Sequence, residues 1–402
     1  METATRVVLG RVVTMAERGA IDAGAVVVER GRIAWVGPRD GVPERFQPLL
    51  PAALSAPLIT PGLVDAHTHA AWVGSRHGEY VAKLRGEGYE AIAARGGGIV
   101  ASMRAIEEAS VEAIAATLIE RLRRMARLGV TTVEVKSGYG LRPVLERRQL
   151  SAIAEASRAR GVPRVVPTFL ALHALPPESR GDEERRAAYV AAATELTREV
   201  ARAGEARFVD AYVDRNAFRV EEARALMTVA RDAGLGVRMH VGQFADVGGA
   251  ELCGELGARS ADHLEHVGEA GLAAMRDAGT AAVLLPTASF VLGQSPPDVA
   301  AMRRAGVRLV VASDANPGTA PSESLPLAMA FAARLYGLSA DEVVAGATRE
   351  AARSLEVGAG TLVEGALGDL VGWDLPHEEA LLQPWGTPRT RFVLREGVPL
   401  WD

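Results

Sequence analysis

The sequence has one cysteine, Cys253, so no intrachain disulfide can form and a reducing, cytoplasmic setting is expected. It has two lysines, Lys83 and Lys136, and arginine carries nearly all the positive charge. That bias reads as genome composition, because arginine enrichment is not a general mark of thermostability. Positive charge is in no excess: the net charge is −5, which leaves no electrostatic footprint for nucleic acid. No uninterrupted apolar run is long enough to cross a bilayer. The first residues show no charged region followed by an apolar stretch and a small-residue cleavage site, so no export signal is expected. Internal repeats and long low-complexity tracts are absent as well.

What is present is ordinary globular material: 402 residues, 48% hydrophobic and 24% charged, enough for a large core and more than one domain. Both ends read as β-structure. Arg6-Val-Val-Leu-Gly and the run from Ala25 to Gly37 are β-branched and broken by glycine, and Asp369-Leu-Val-Gly-Trp and Arg391-Phe-Val-Leu-Arg look alike. Neither end suffices alone, so one small β-domain built from both termini is expected, over residues 1–57 and 358–402. Between them, over 58–357, apolar runs alternate with helical stretches. Strands are expected at 58–65, 130–136, 164–171, 208–213, 236–240, 260–263, 280–286 and 307–313. The clearest helix starts at Ser110, an N-cap, continues with Ile114, Leu118, Leu122 and Met125 at helical spacing, and closes at Gly129. Eight such units fit an α/β (β/α)₈ TIM barrel better than a doubly wound sheet, because candidate ligands fall at strand C-termini.

The chemistry is concentrated in Pro61-Gly-Leu-Val-Asp65-Ala-His67-Thr-His69. Residues i and i+2 of a strand share a face, so His67 and His69 can grip one cation. Two further apolar runs end in His240 and Asp314, which gives three imidazoles and a carboxylate with room for water, the donor set of a metallohydrolase. Taken singly, His240 reads equally well as a satisfied core histidine and Asp314 as a turn residue; the coincidence of all four favours a metal. Asp262-His263 ends another strand, and His263 can orient or shuttle protons. Gln243 cannot titrate and is confined to hydrogen bonding. Lys136 reads as an ion-paired residue behind the site rather than a carbamylated metal bridge. Arg76, in the loop after His69, and Tyr139 are candidates for holding an acidic substrate. Gly96-Gly-Gly98 is a loop or a hinge.

Several motifs are specific in combination: Asp65-Ala-His-Thr-His69 with Gly74-Ser-Arg76, Lys136-Ser-Gly-Tyr-Gly140, His173-Ala-Leu-Pro-Pro-Glu178 and Ser313-Asp-Ala-Asn-Pro-Gly-Thr319. Over nearly its whole length the chain resembles the imidazolonepropionases, the amidohydrolase-superfamily enzymes of histidine degradation. The resemblance implies a distorted (β/α)₈ barrel with a composite β-sandwich domain, in a homodimer. It implies one Zn²⁺ or Fe³⁺ per subunit, held by His67, His69, His240 and Asp314. It places Arg76, Tyr89, Tyr139 and His173 against the substrate, along with Gln243 and the loop residues Asn316, Gly318 and Thr319. The implied reaction opens the cyclic amide of 4-imidazolone-5-propanoate to N-formimidoyl-L-glutamate, the third step of histidine degradation, with Asp314 and His263 as the catalytic pair. Rival readings are a heterocycle deaminase of the same superfamily, which Gln243 disfavours, and a metal-binding relative without catalysis.

Overall fold

The computed structural model describes residues 5–87, 91, 97–385 and 387–401. Its strands form two sheets. The first draws on both ends of the chain: β1 (Arg6–Val13), β2 (Ala20–Glu29), β3 (Arg32–Pro38) and β4 (Leu54–Pro61) from the N-terminal part. The C-terminal part adds β13 (Leu370–Trp373), β14 (Thr390–Arg395) and β15 (Val398–Pro399), in the order β15-β14-β13-β4-β1-β2-β3. The second sheet is the expected barrel: β5 (Leu63–Asp65), β6 (Val130–Lys136), β7 (Arg164–Leu172), β8 (Phe208–Val213), β9 (Gly236–Val241), β10 (Ser260–His263), β11 (Ala281–Leu284) and β12 (Leu309–Val311). These eight strands pair in sequence order and in parallel.

The helices between strands bury one apolar stripe each against the barrel. In the helix Val111–Arg127, Ser110 accepts a hydrogen bond from the Ala113 amide, and Ile114, Leu118, Leu122 and Met125 are fully buried. Burying one such side chain contributes about 1.5–3 kcal/mol. The run from Ala25 to Gly37 is two strands, because Arg30 and Gly31 both take positive φ and turn the chain into a hairpin.

The single strand expected over 58–65 is divided instead. Residues up to Pro61 pair with β13, and residues from Leu63 pair with β6. Gly62 is the crossing point. Its amide donates to Asp369 O in the first sheet, while the next amide, Leu63, donates to Gly129 O beside the barrel. A Cβ on Gly62 would lie 2.1 Å from Thr131 Oγ1, so only glycine lets the chain pass between the sheets here. Arg164, on β7, fastens the sheets together through Asp369 at 2.5 Å and Glu396 at 2.5 Å.

Barrel closure is irregular. Between β12 and β5 there is one parallel bridge, Thr68 to Ala315, beyond the ends of both strands. It is flanked by the Asp314 amide donating to His67 O and the His69 amide donating to Ala315 O, each at 3.1 Å. The closure itself therefore sets the His67–His69 segment beside Asp314. Gly62→Ala should lower the unfolding free energy by about 1–3 kcal/mol through overpacking, and adding Thr131→Ala should recover part of it. Urea unfolding reads both; an unchanged midpoint in the single variant would remove Gly62 from this role.

Candidate active site

Each candidate donor stands where a barrel strand ends, and each is buried. His67 and His69 follow β5, His240 is on β9 and Asp314 follows β12. Nε2 of His69 and Nε2 of His240 are 3.2 Å apart. Asp314 Oδ1 lies 3.6 Å from His67 Nε2 and 3.5 Å from His69 Nε2. His67 Nε2 is buried with no hydrogen-bond partner. Converging ring nitrogens with an orphaned lone pair and a carboxylate between them fit a cation that accepts from all four. Burial pushes the pKa of His67 and of His69 well down, and Lys136 and neighbouring histidines reinforce it, so both rings stay neutral and able to ligate.

The ring orientations are set from behind. His67 Nδ1 faces Asp262 Oδ2 at 2.6 Å, and His240 Nδ1 faces Asp210 Oδ1 at 3.0 Å. Each carboxylate holds Nδ1–H and thereby turns Nε2 to the centre. His69 lacks such a brace; its Nδ1 is buried without a partner. Lys136 Nζ lies 2.6 Å from Asp210, 2.9 Å from Glu134 and 3.8 Å from Asp262. Burial alone would lower the Lys136 pKa, but these carboxylates hold it above its ordinary value. Arg238 Nε, fully buried, is 3.0 Å from Glu134 Oε1. Lys136 is thus the ion-paired residue expected from sequence. Its carboxylate partners and Arg238 were not expected. The available signal was charge inside apolar strands, as in Val130-Thr-Thr-Val-Glu-Val-Lys136.

Asp65, also unsingled in the sequence, accepts from the Ser313 amide and hydroxyl at 3.0 and 2.6 Å and ties the ends of β5 and β12 together. Burial lifts its pKa to about 7. Burial likewise lifts Asp314 to about 6, against the pull of His263 and His240. Asp314, His263 and Leu264 all take positive φ, at 55°, 83° and 76°. Such strain costs about 1–3 kcal/mol per residue and collects at functional sites.

A cleft of about 670 Å³ opens over the donors and is lined by His69, His240, His263 and Asp314. Of the residues expected to hold substrate, Arg76, Tyr139, His173, Gln243, Asn316 and Thr319 line it too. Tyr89 lies outside the described residues, as does Gly96. Gly318 stands behind Arg76: a Cβ there would come within 2.4 Å of Arg76 Nη1. Arg76 already gives Nε and Nη2 to Glu79 Oε2. Glu79 Oε1 in turn accepts from the Gly98 amide, so Gly98 joins this loop to the helix Ile99–Glu108. His173 Nδ1 is 2.8 Å from Gly138 O, and burial lowers its pKa to about 3. Asn316 is engaged within its own loop. Its Oδ1 accepts from the amides of Gly318 and Thr319 at 2.9 and 2.7 Å, and its Nδ2 donates to Asp314 O at 2.7 Å.

The model of the amidohydrolase family matches residues 58–399. The chain is 43% identical over 368 residues to the imidazolonepropionase of Maricaulis maris (strain MCS10), covering 91% of this chain and 90% of that one. With the imidazolonepropionase of Acidiphilium cryptum (strain JF-5) the identity is 44% over 386 residues, 94% of each chain. The chain belongs to the imidazolonepropionases of the amidohydrolase family. Its fold is similar to that of the atrazine chlorohydrolase of Arthrobacter aurescens TC1 complexed with zinc, with a TM-score of 0.74 at 16% identity over 98% of this chain and 95% of that one. In this amidohydrolase, Asp210→Ala, which removes the acceptor, should weaken binding of an added divalent metal ion about 10–100-fold by freeing the His240 ring. Competition against a chromophoric chelator measures it, and unchanged affinity would show that Asp210 does not brace the donor.

Proposed function

We propose that the protein hydrolyses 4-imidazolone-5-propanoate to N-formimidoyl-L-glutamate in histidine degradation. The observation that carries this reading is the match over nine-tenths of the chain to imidazolonepropionases at 43% identity. In this reading His67, His69, His240 and Asp314 hold one Zn²⁺ or Fe³⁺, a donor set that suits either ion. Such an ion, when bound, polarises a carbonyl and lowers the pKa of water towards neutrality. A second ion is disfavoured because the Lys136 ammonium already sits between Asp210 and Asp262. No described helix is long and apolar enough to cross a membrane. The homodimeric state and the cytoplasmic setting belong to the same proposal.

The chain's own groups divide the remaining work. Glu79 takes the Nε–H and one Nη2–H of Arg76, and the guanidinium's remaining N–H groups serve the propionate tail. Tyr139 and His173 flank the same end of the cleft, with ring centroids 5.5 Å apart. Tyr212 donates to Gln243 Oε1 at 2.8 Å, which leaves the Gln243 Nε2–H to the substrate ring. Asn316 fixes the loop that places Thr319 on the cleft wall. As water adds to the ring carbonyl, Asp314 accepts its proton and His263 stabilises the developing oxyanion. The ring C–N bond then breaks as Asp314 passes that proton to the leaving nitrogen. Tail binding remote from the reacting carbon sets the carbonyl in register.

Metal-loaded protein mixed with fresh 4-imidazolone-5-propanoate should speed loss of the ring chromophore well above its spontaneous decay. Chelation and Asp314→Ala should each abolish the acceleration. Arg76→Ala should raise KM about ten-fold or more while metal content stays constant. No acceleration over the blank by folded, metal-loaded protein would overturn the assignment.

A further inference from the structure

The loop Ser137–Leu141, which carries Tyr139, lies beside the His67–His69 segment that follows β5, with the Tyr139 and His69 ring centroids 6.0 Å apart. Two side chains of the helix Pro143–Ser157 connect them. Glu146 and Gln149 are three apart and so share one helix face. Both are buried, Glu146 at 4% and Gln149 at 0% exposure, in a helix whose other buried side chains are mostly apolar. Glu146 Oε2 accepts from the Gly138 amide and Oε1 from the Leu141 amide, each at 2.8 Å. Gln149 Oε1 accepts from the Tyr139 amide at 3.1 Å, and Gln149 Nε2 donates to Ala71 O at 2.9 Å. Ala71 is the second residue after His69. Arg121 holds the neighbouring carbonyl of Ala70 at 2.6 Å. The Gly138 carbonyl faces His173 Nδ1 at 2.8 Å. Gly140 makes the approach possible, because a Cβ there would lie 2.4 Å from the Glu146 amide.

We propose that Glu146 and Gln149 are positioning residues that hold the substrate-tail anchors, Tyr139 and His173, in register with the His67–His69 segment. Gln149 is the direct link, since one amide group bonds Tyr139 on one side and Ala71 on the other. Glu146 fixes the turn on which Gln149 acts. Neither side chain lines the cleft, so both act through Tyr139 and His173. The inference rests on the proposed function, because the tail anchors are defined by that substrate.

The test is Gln149→Met, which keeps length and burial and removes both hydrogen bonds. Losing a bond that leaves buried partners unpaired translates to about ten-fold or more in tail-dependent binding. KM for 4-imidazolone-5-propanoate should rise by that factor with a smaller change in kcat, while bound metal stays at the wild-type level. Competitive inhibition by 3-(imidazol-4-yl)propanoate should weaken by the same factor. Inhibition by 4-methylimidazole, which lacks the tail, should not change. Glu146→Gln, which keeps one acceptor, should show a smaller shift in the same direction, and Glu146→Ala a larger one. It carries the test should Gln149→Met fail to fold. Equal weakening of both inhibitors, or of neither, would overturn the inference. A wild-type protein inert towards the substrate would instead overturn the proposed function.

Discussion

The site hangs on one buried ammonium. Lys136 lies at the end of β6 with no exposure to solvent, held between Glu134, Asp210 and Asp262. Removing four charged groups from water is costly, and the mutual attraction offsets that cost only if the geometry is kept. The carboxylates are therefore not free to turn, and two of them face Nδ1 of His67 and of His240. A strand-end lysine thus fixes ring orientation on two other strands. Arg238 extends the same lattice, reaching Glu134 and donating to Ala66 O at 2.8 Å, one residue before His67. The charged lattice lies beneath the donors, and Arg238 rests against Phe208 of an apolar cluster that includes Val166 and Val283.

That lattice explains what the sequence shows and what it hides. Runs such as Phe208–Val213 were legible with correct bounds because parallel strands buried on both faces are mostly apolar. His67, His69, His240 and Asp314 were legible because they close such runs. Asp210 and Asp262 were not, since a carboxylate within a strand reads as an outward residue until its partners are known. Those partners are 30 and 195 residues away in the chain. The division at Gly62 was hidden for a related reason. Leu58 to Val64 reads as one apolar run, and only contact with Thr131 and Asp369 shows that it serves two sheets. Tail-anchor candidates could be named by type, but the pairing of Arg76 with Glu79 and the enclosure of Asn316 in its own turn depend on loop geometry that periodicity does not report.

Irregularity is where the function resides. The seven neighbouring pairings of the barrel are parallel ladders, two of them with a single register shift, whereas closure between β12 and β5 rests on one bridge beyond the strand ends. A regular ladder there would carry the chain past Asp314 in extended conformation and point its carboxylate along the alternating pattern of the strand. The positive φ at Asp314 departs from that pattern and brings Oδ1 to within 3.6 Å of both imidazoles of the His-x-His pair. Asn316 makes this departure tolerable by collecting the amides of Gly318 and Thr319 on one oxygen and returning a donor to the Asp314 carbonyl. The strain at the donor and the saturated turn after it are two parts of one device.

The same division of labour recurs around the cleft. Groups that face the cavity are held by groups that do not: His240 by Asp210, Arg76 by Glu79, Tyr139 by Gln149. Each holder is a short polar side chain fixed by burial or by a second bond, so little rotational freedom remains to be lost when substrate arrives. Preorganisation of this kind matters most where the reacting carbonyl and the recognised tail lie at opposite ends of a small molecule. An error at either end displaces the other, and a displacement of about 1 Å can cost on the order of a hundred-fold in rate. The barrel supplies the common frame. Buried links between neighbouring strand ends, such as Gln149 between Tyr139 and Ala71, convert separate strand positions into one rigid spacing.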